Sequence, residues 1–154
     1  MKVLMVCLGN ICRSPMAEGI LRKKSIEKGI SLEVDSCGTA AYHVGNAPDP
    51  RSIEKSLEHG IDISMLRARQ FNSMDFQNFD SILVMDRDNF RNVQNLAKSD
   101  YERNKVKLIL HDSHEVIGND VPDPYYGGSQ GFETVYQLLD KSLDTFIITH
   151  FNAK

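Results

Sequence analysis

Two kinds of apolar pattern alternate along the chain. Short runs of apolar residues, bounded by glycine or polar residues, occur at residues 2–6, 32–36, 81–85 and 106–110, and each predicts a buried strand. Between these runs, apolar residues recur every three or four positions, which is typical of a helix with one buried face.

The predicted helices are marked by residues that commonly begin or end a helix. The first begins at Ser14 and Pro15, an N-cap followed by a first-turn proline, and ends at Gly29. Three later segments show the same periodicity: residues 50–59, 88–98 and 130–150. The last segment predicts the longest helix, and its apolar residues share one face: Phe132, Val135, Tyr136, Leu139, Leu143, Phe146 and Ile147.

Strands that alternate with helices predict a parallel sheet covered on both sides. We therefore expect a single-domain, three-layer α/β fold: an open parallel four-stranded sheet with helices on both faces and the flavodoxin-like strand order 2-1-3-4. At 154 residues the chain suits one well-buried domain. Two loop-like stretches, residues 37–49 and 113–129, follow strands and should reach the edge of the sheet where ligands bind.

Composition and charge narrow the choice of partners. The formal net charge is -3 with interspersed charges, so nucleic acid and anionic membrane surfaces are not expected as partners. The apolar stretch at residues 3–8 is too short for a signal peptide or a membrane span, which predicts a cytoplasmic protein. Three cysteines are too few for a disulfide framework. We expect a monomer with at most weak self-association.

The candidate chemistry is concentrated in the segment VCLGNICRSP, residues 6–15, between the first strand and the first helix. Backbone N–H groups and the positive end of a helix dipole can bind an anion there. Gly9 lets the loop fold tightly, so Arg13 can lie beside Cys7 and favour its thiolate, a nucleophile. Arg13 can also hold two phosphate oxygens at once. The segment therefore predicts a phosphoryl-transfer site.

A simpler interpretation is that Cys7 is only a small buried residue at the end of a strand. The arginine six residues later, the glycine and the Ser-Pro helix start favour the catalytic interpretation. The nucleotide-binding fingerprints with Gly-Lys-Ser/Thr or G-x-G-x-x-G are absent from the segment.

The chain resembles the low-molecular-weight protein tyrosine phosphatases. VCLGNICRSPMAE is similar to their Cys-x5-Arg-Ser/Thr signature loop, NFDSILVMDRDN to their central strand, and VPDPYYGG with FETVYQLL to their acid loop and last helix. The similarity runs along residues 1–154 and indicates one such domain. It implies hydrolysis of protein phosphotyrosine and small aryl phosphates through a phosphocysteine, with no metal and no cofactor.

The resemblance implies a catalytic role for three residues. Cys7 is the nucleophile, Arg13 binds phosphate, and Asp123, between two stiffening prolines, is the acid and then the base. Pro-Asp-Pro taken alone is more often a surface turn. Phosphate binding is assigned to the whole loop: Leu8, Gly9, Asn10, Ile11, Cys12, Arg13 and Ser14.

Support of this loop is assigned by resemblance to Asn10, Ser14 and Ser36: Ser14 hydrogen-bonds the Cys7 sulfur, and Asn10 with Ser36 shapes the loop. Each has a local alternative, since Ser14 can be a helix N-cap, Asn10 a left-handed residue and Ser36 a strand end. His59 and Asp86 also match family positions, with a helix-end cation and a turn residue as their alternatives.

Tyr42, Tyr125 and Tyr126 resemble the aromatic rim that encloses a phenyl phosphate, although exposed aromatics can also anchor loops. The family often has tryptophan at the Tyr42 position. By resemblance, Cys12 forms a reversible disulfide with Cys7 that protects the nucleophile; the alternative is a buried bystander.

Three other functions compete with this one. Arsenate reductases share the loop but need relay cysteines, which residues 81–98 lack. Protein arginine phosphatases carry threonine where this chain has Ile11. A phosphotyrosine-binding module without turnover is disfavoured by the presence of Cys7, Arg13 and Asp123 together. The partner expected is thus a phosphotyrosyl protein or an aryl phosphate.

Overall fold

A computed structural model describes residues 1–111, 120–125 and 127–151. Within these residues the chain forms four strands: β1 (Lys2–Cys7), β2 (Glu33–Gly38), β3 (Ser81–Val84) and β4 (Val106–Leu108). Six helices accompany them: α1 (Arg13–Glu27), α2 (Pro50–Glu58), α3 (Asp75–Asn78), α4 (Arg87–Leu96), α5 (Asp100–Arg103) and α6 (Ser129–Phe151).

The strands form one parallel sheet in the order β2-β1-β3-β4. In the register of the two central pairs, Val3 lies opposite Val34 of β2 and opposite Ser81 of β3. This confirms the predicted α/β class, the four parallel strands and the order 2-1-3-4. The strand boundaries differ from the predicted ones by one or two residues, since β2 runs on to Gly38 and β4 ends at Leu108.

Helices cover both faces of the sheet, because alternate side chains of β1 enter different apolar clusters. Val3 and Met5 pack in the cluster that contains the buried faces of α1 and α6, whereas Leu4 and Val6 pack with Phe76 of α3 and Val93 of α4. A continuous apolar run is therefore buried on both sides, as the sequence predicted.

Helix α6 is the longest of the described helices, with 23 residues. All seven apolar residues assigned to its inner face are buried, as predicted: Phe132, Val135, Tyr136, Leu139, Leu143, Phe146 and Ile147. In the described part of the chain, none of the helices has the length and apolarity that crossing a membrane requires.

The start of α1 differs from the prediction. The helix begins at Arg13, so Ser14 lies inside the first turn, and Cys12 occupies the N-cap position without a side-chain capping bond. The prediction that Ser14 is the N-cap was wrong because its hydroxyl is directed at Cys7 instead. The predicted end is confirmed: Gly29 has φ +63 directly after the helix, and its N–H donates to the Ile26 carbonyl at 3.2 Å.

Two four-residue helices, α3 and α5, have no counterpart in the sequence prediction. Such short segments show no full period of apolar residues. The start of α5 does carry a local signal, since Ser99 and Glu102 form a Ser-x-x-Glu pair in which the Ser99 hydroxyl accepts from the Glu102 N–H at 3.1 Å. In the second predicted loop, residues 113–129, positions 113–119 and 126 lie outside the described residues.

Candidate active site

A pocket of about 240 Å³ opens at the carboxyl ends of β1 and β2. Its walls bring together residues from three separate parts of the sequence: Cys7, Leu8, Gly9, Ile11, Cys12, Arg13, Tyr42, His43, Asp123 and Tyr125. Nearly all were singled out from the sequence. Asn10, Ser14 and Ser36 lie behind the loop, where all three are buried. Tyr126 lies outside the described residues.

In the loop from Cys7 to Arg13, several peptide carbonyls point away from the loop, toward the surrounding chain. Four of its carbonyls accept hydrogen bonds from the surrounding chain, with donors at 2.8–2.9 Å: those of Cys7, Leu8, Ile11 and Cys12. Because a trans peptide holds its C=O and the following N–H on opposite sides, these contacts turn the following N–H groups the other way, into the loop. The loop is thus built to receive an anion.

Two residues make this tight loop conformation accessible. Asn10 has φ +58, a left-handed conformation that asparagine tolerates better than most residues. Gly38, at the end of β2, lies directly against the loop, and a Cβ at this position would be 2.6 Å from the Leu8 carbonyl oxygen. The close approach of the two backbones therefore depends on this glycine.

The Cys7 sulfur is buried at the bottom of the pocket and has two polar groups within hydrogen-bond distance. The Asn10 N–H donates to Sγ at 3.3 Å, and the Ser14 hydroxyl lies 3.0 Å from Sγ. The uncapped first turn of α1 follows immediately. A negative charge on this sulfur would accept from the Asn10 N–H and face the positive end of the helix.

Arg13 is buried beside the thiol and is held from behind. Its Nη1 donates to Oδ2 of Asp86 at 2.7 Å and to the Val121 carbonyl at 2.9 Å. Burial acts to lower the pKa of Arg13, but the thiolate of Cys7 and the Asp86 carboxylate outweigh it and raise the pKa. The guanidinium is therefore a fixed positive charge at the pocket wall. Asp86 both orients it and caps α4 by accepting from the Asn89 N–H.

Asp123 lies at the mouth of the pocket, with 39% of its side chain exposed. Its Oδ2 is 3.7 Å from Nη2 of Arg13, and its Oδ1 accepts from the Tyr125 N–H at 3.0 Å. The carboxyl group thus faces the same space as Cys7 and Arg13.

Aromatic side chains form the outer wall. Tyr42 is 79% exposed and Tyr125 is 40% exposed, and both line the pocket. His43 lines it too and was missed by the sequence analysis. Its ring lies over Gly9, where a Cβ would come within 3.0 Å of its Cδ2. Only its position next to Tyr42 could have indicated it.

The other two thiols differ in their positions. Burial, assisted by Asp49 and Cys7, raises the pKa of Cys12, so this wall residue carries a proton at neutral pH. Cys37 is buried on the opposite face of the sheet among core residues. All three cysteines are free thiols. The pairing of Cys7 with Cys12 stays a prediction.

The loop-support residues form one hydrogen-bonded group. Nδ2 of Asn10 donates to Ser14 Oγ at 2.7 Å and to Ser36 Oγ at 3.0 Å, while its Oδ1 accepts from the Arg69 N–H at 3.0 Å. Ser36 in turn donates to Glu18 at 2.7 Å. Neither Arg69 nor Glu18 was predicted. An acidic residue amid the buried face of α1 is the signal that could have indicated Glu18.

His59 lies outside this pocket. Its Nε2 is 3.0 Å from Oε1 of Glu133, and its ring stacks on Tyr136 at 3.7 Å between centroids. It therefore joins α2 to α6, in addition to ending α2.

The chain is similar to known proteins of one family. The family model described as "Low molecular weight phosphotyrosine protein phosphatase" matches residues 2–154. Proteins of that name from Schizosaccharomyces pombe and Homo sapiens are 48% and 44% identical over 92% and 94% of this chain, and each match covers 92% of the relative. A protein tyrosine phosphatase from Entamoeba histolytica, solved with Hepes in its active site, superposes with a TM-score of 0.92 and 36% identity over 97% of this chain and 96% of its own.

Proposed function

Because the chain belongs to the low molecular weight phosphotyrosine protein phosphatase family, we propose that it hydrolyses phosphotyrosine through a covalent intermediate on Cys7. This family is a family of hydrolases, and its substrates are phosphotyrosyl proteins. One observation carries the finer proposal: the buried thiol, the Arg13 guanidinium and the Asp123 carboxyl line one pocket.

In the first step the Cys7 thiolate attacks phosphorus, and the bond from phosphorus to the tyrosyl oxygen breaks. The leaving oxygen takes a proton from Asp123, which is at the pocket mouth, where the leaving group would emerge. This restores the tyrosine hydroxyl of the substrate and leaves a thiophosphate on Cys7.

In the second step water attacks the thiophosphate. The Asp123 carboxylate, now deprotonated, takes a proton from this water, the sulfur–phosphorus bond breaks, and inorganic phosphate leaves. The Cys7 thiolate and the protonated acid are both restored, so atoms and charges balance over the cycle.

The positive charge that both steps need is supplied by the chain itself. The loop N–H groups and Arg13 surround the site of the phosphoryl oxygens, where they stabilise the charge on those oxygens in the transition state. Asp86 and the Val121 carbonyl occupy Nη1 of Arg13, which fixes the plane of the guanidinium.

The aryl group of the substrate would lie between the exposed rings at the rim. Tyr42 and Tyr125 offer flat apolar surfaces above the loop, and Ile11 adds an apolar wall residue. The Hepes found in the active site of the Entamoeba relative carries a sulfonate, so that relative's site accommodates a molecule with a tetrahedral oxyanion.

Turnover of p-nitrophenyl phosphate in the presence of a chelator, with Cys7→Ser as the comparison, tests this proposal. We expect turnover by the native chain, none by Cys7→Ser, and retention of phosphotyrosyl peptide by Cys7→Ser. Parallel assays on phosphotyrosine, phosphoserine and phosphoarginine peptides define the substrate class. Undiminished turnover by Cys7→Ser, or preference for phosphoarginine, would contradict the proposal.

A further inference from the structure

A buried carboxyl group lies behind the phosphate-binding loop and takes no part in the steps proposed above. Glu18 belongs to α1, and only 3% of its side chain is exposed. Its Oε2 accepts from Nη2 of Arg22 at 2.7 Å, and its Oε1 accepts from the Ser36 hydroxyl at 2.7 Å. Burial raises the pKa of Glu18, although Ser36 and Arg22 act against it. A buried acid of this kind is costly unless it is hydrogen-bonded, so its partners indicate what it does.

The side-chain amide of Asn10 has a fixed orientation. The main-chain N–H of Arg69 donates to Oδ1 at 3.0 Å, and only the oxygen end of an amide can accept this bond. The other end, Nδ2, therefore faces the two serines and donates to both, to Ser14 Oγ at 2.7 Å and to Ser36 Oγ at 3.0 Å.

Each serine hydroxyl must then direct its own hydrogen away from the amide, since a hydroxyl has one hydrogen to donate. Ser36 donates to Glu18, the acceptor 2.7 Å away. Ser14 has two acceptors, the Cys7 sulfur at 3.0 Å and the more distant Cys37 carbonyl at 3.4 Å. The nearer acceptor is the reacting atom.

We propose that Glu18 is a positioning residue for the nucleophile. Its carboxylate keeps Ser36 as an acceptor toward Asn10, and together with the Arg69 N–H this holds the amide in the orientation that makes the Ser14 hydroxyl a donor to the Cys7 sulfur. The inference rests on the proposed function, in which Cys7 reacts as a thiolate. A thiolate accepts hydrogen bonds and cannot donate one, so this direction of the hydrogen-bond chain from Glu18 to Ser14 stabilises it.

The isosteric substitution Glu18→Gln tests the direction of the chain. Arg22 faces the acid as a donor and would hold the glutamine oxygen, which turns the glutamine NH2 toward Ser36. The Ser36 oxygen would then accept from two N–H donors while its own hydrogen loses the carboxylate acceptor that polarised the hydroxyl, so the bond from Asn10 weakens. We expect the midpoint of the pH profile for alkylation of Cys7 by iodoacetamide to move about one pH unit upward, the size of one ordinary hydrogen bond, with kcat for p-nitrophenyl phosphate reduced and KM little changed.

The ionisable groups that face the thiol are unchanged in the variants: Arg13, Cys12, Cys37, His43 and Asp123. Glu18 itself is faced by Arg22 from α1 and by Asp35 from β2. Loss of its negative charge alone would shift the alkylation midpoint downward. An upward shift therefore reports the hydrogen-bond chain and not the charge.

Substitution of Arg22 gives the matched control and a rescue. In Arg22→Met the Glu18 oxygen still accepts from Ser36, whether or not the carboxyl carries a proton on its other oxygen, so the midpoint should stay in place. In the double variant Glu18→Gln/Arg22→Met no arginine holds the glutamine oxygen, which can turn back to Ser36, and the midpoint should return toward the native one. A purely structural role for the Glu18–Arg22 pair predicts the opposite result: the double variant would show the largest change in the alkylation midpoint.

An unchanged or lowered midpoint in Glu18→Gln overturns the inference. A midpoint in the double variant that lies further from the native one than that of Glu18→Gln overturns it too. If Glu18→Gln does not fold, Ser36→Ala interrupts the same chain and must shift the midpoint upward; no shift there also overturns it. The alkylation profile follows the thiol directly, whereas the proposed function falls if Cys7→Ser retains turnover. The two failures are therefore distinguishable.

Discussion

Asp123 and Arg13 lie close together in the pocket, but their side chains have different surroundings. Oδ2 of Asp123 lies 3.7 Å from Nη2 of Arg13, and its other oxygen accepts from the Tyr125 N–H. The carboxyl group is thus held near the fixed positive charge yet remains open to solvent at the pocket mouth. This position suits the acid and base role proposed for Asp123.

Replacement of Asp123 should affect slow leaving groups most. In Asp123→Ala and in the isosteric Asp123→Asn, we expect kcat for phenyl phosphate to fall about a hundredfold or more, because the leaving oxygen receives no proton, and much less for the good leaving group of p-nitrophenyl phosphate. The measurement is the dependence of kcat on the leaving group over a series of aryl phosphates. An equal fall throughout the series would remove Asp123 from the acid role.

Gly38 should prove as important to phosphate binding as the loop residues. An added Cβ would lie 2.6 Å from the Leu8 oxygen and 3.1 Å from the Asn10 nitrogen, so Gly38→Ala must displace the loop backbone, at about 1–3 kcal/mol. We expect competitive inhibition by inorganic phosphate to weaken about tenfold or more at this cost. Gly128→Ala is the control, since its Cβ would meet nothing within 4 Å. Equal phosphate affinity in both variants would contradict the prediction.

Among the secondary-structure elements, the start of α2 connects the two loops that form the pocket. The Asp49 N–H donates to the Ile11 carbonyl at 2.8 Å, and the Ser52 hydroxyl to the Cys12 carbonyl at 2.9 Å. Arg51 reaches the other way, with its guanidinium 5.5 Å from the centre of the Tyr125 ring. One helical turn therefore fixes the phosphate-binding loop relative to the loop that carries the acid.

Loss of Arg51 should loosen the acid loop without affecting the nucleophile. In Arg51→Met the Nη1 bond to the Gly127 carbonyl, 3.3 Å long, and the contact with Tyr125 are both removed. We expect kcat for phenyl phosphate to fall about tenfold, since small misplacements of a catalytic group are costly, while the rate of Cys7 alkylation is unchanged.

Lys55→Met is the matched control for Arg51→Met. It also removes a positive charge from α2, but Lys55 pairs with Glu58 and Glu133, away from the acid loop. Equal effects of the two variants on kcat would show that charge, and not the link to the loop, is responsible.

In the molecule as a whole, the apolar core and the pocket meet only at their border. The larger apolar cluster lies between the sheet and helices α1 and α6, and it reaches the pocket at Ile11, Cys7 and Cys12. Leu139 of α6 is fully buried in that cluster and does not line the pocket. A cavity there should destabilise the fold without reaching the catalytic groups.

Leu139→Ala should lower the free energy of unfolding by about 2–5 kcal/mol because it leaves a cavity in the core. Leu57→Ala, at a side chain that is half exposed, should change it by less than about 0.5 kcal/mol. Urea denaturation measures the free energy of unfolding of both variants. At urea concentrations below its unfolding transition, Leu139→Ala should keep a kcat within a few-fold of that of the native chain. A comparable loss of stability in the two variants would contradict this separation.

The sequence by itself determined the order in which strands and long helices follow one another along the chain, the buried face of α6 and the Cys-x5-Arg loop. Each of these features depends on residues that are close together in the chain. Through resemblance the sequence also indicated Asp123, Tyr42 and Tyr125, which line one pocket in the structure. The errors of the sequence prediction were local. Ser14 does not cap α1, because its hydroxyl lies beside the Cys7 sulfur instead. The short helices α3 and α5 were missed because they have too few residues to show an apolar period.

Only the tertiary structure showed which distant residues meet behind and around the pocket. The chain from Glu18 through Ser36 to Asn10 spans two elements and a loop, and the Arg69 N–H that fixes the Asn10 amide comes from 59 residues away. Arg51 and His43 likewise gain their roles only from the loops that pack against them. Hydrogen-bond direction and backbone approach depend on three-dimensional packing, and no pattern along the chain encodes them by itself.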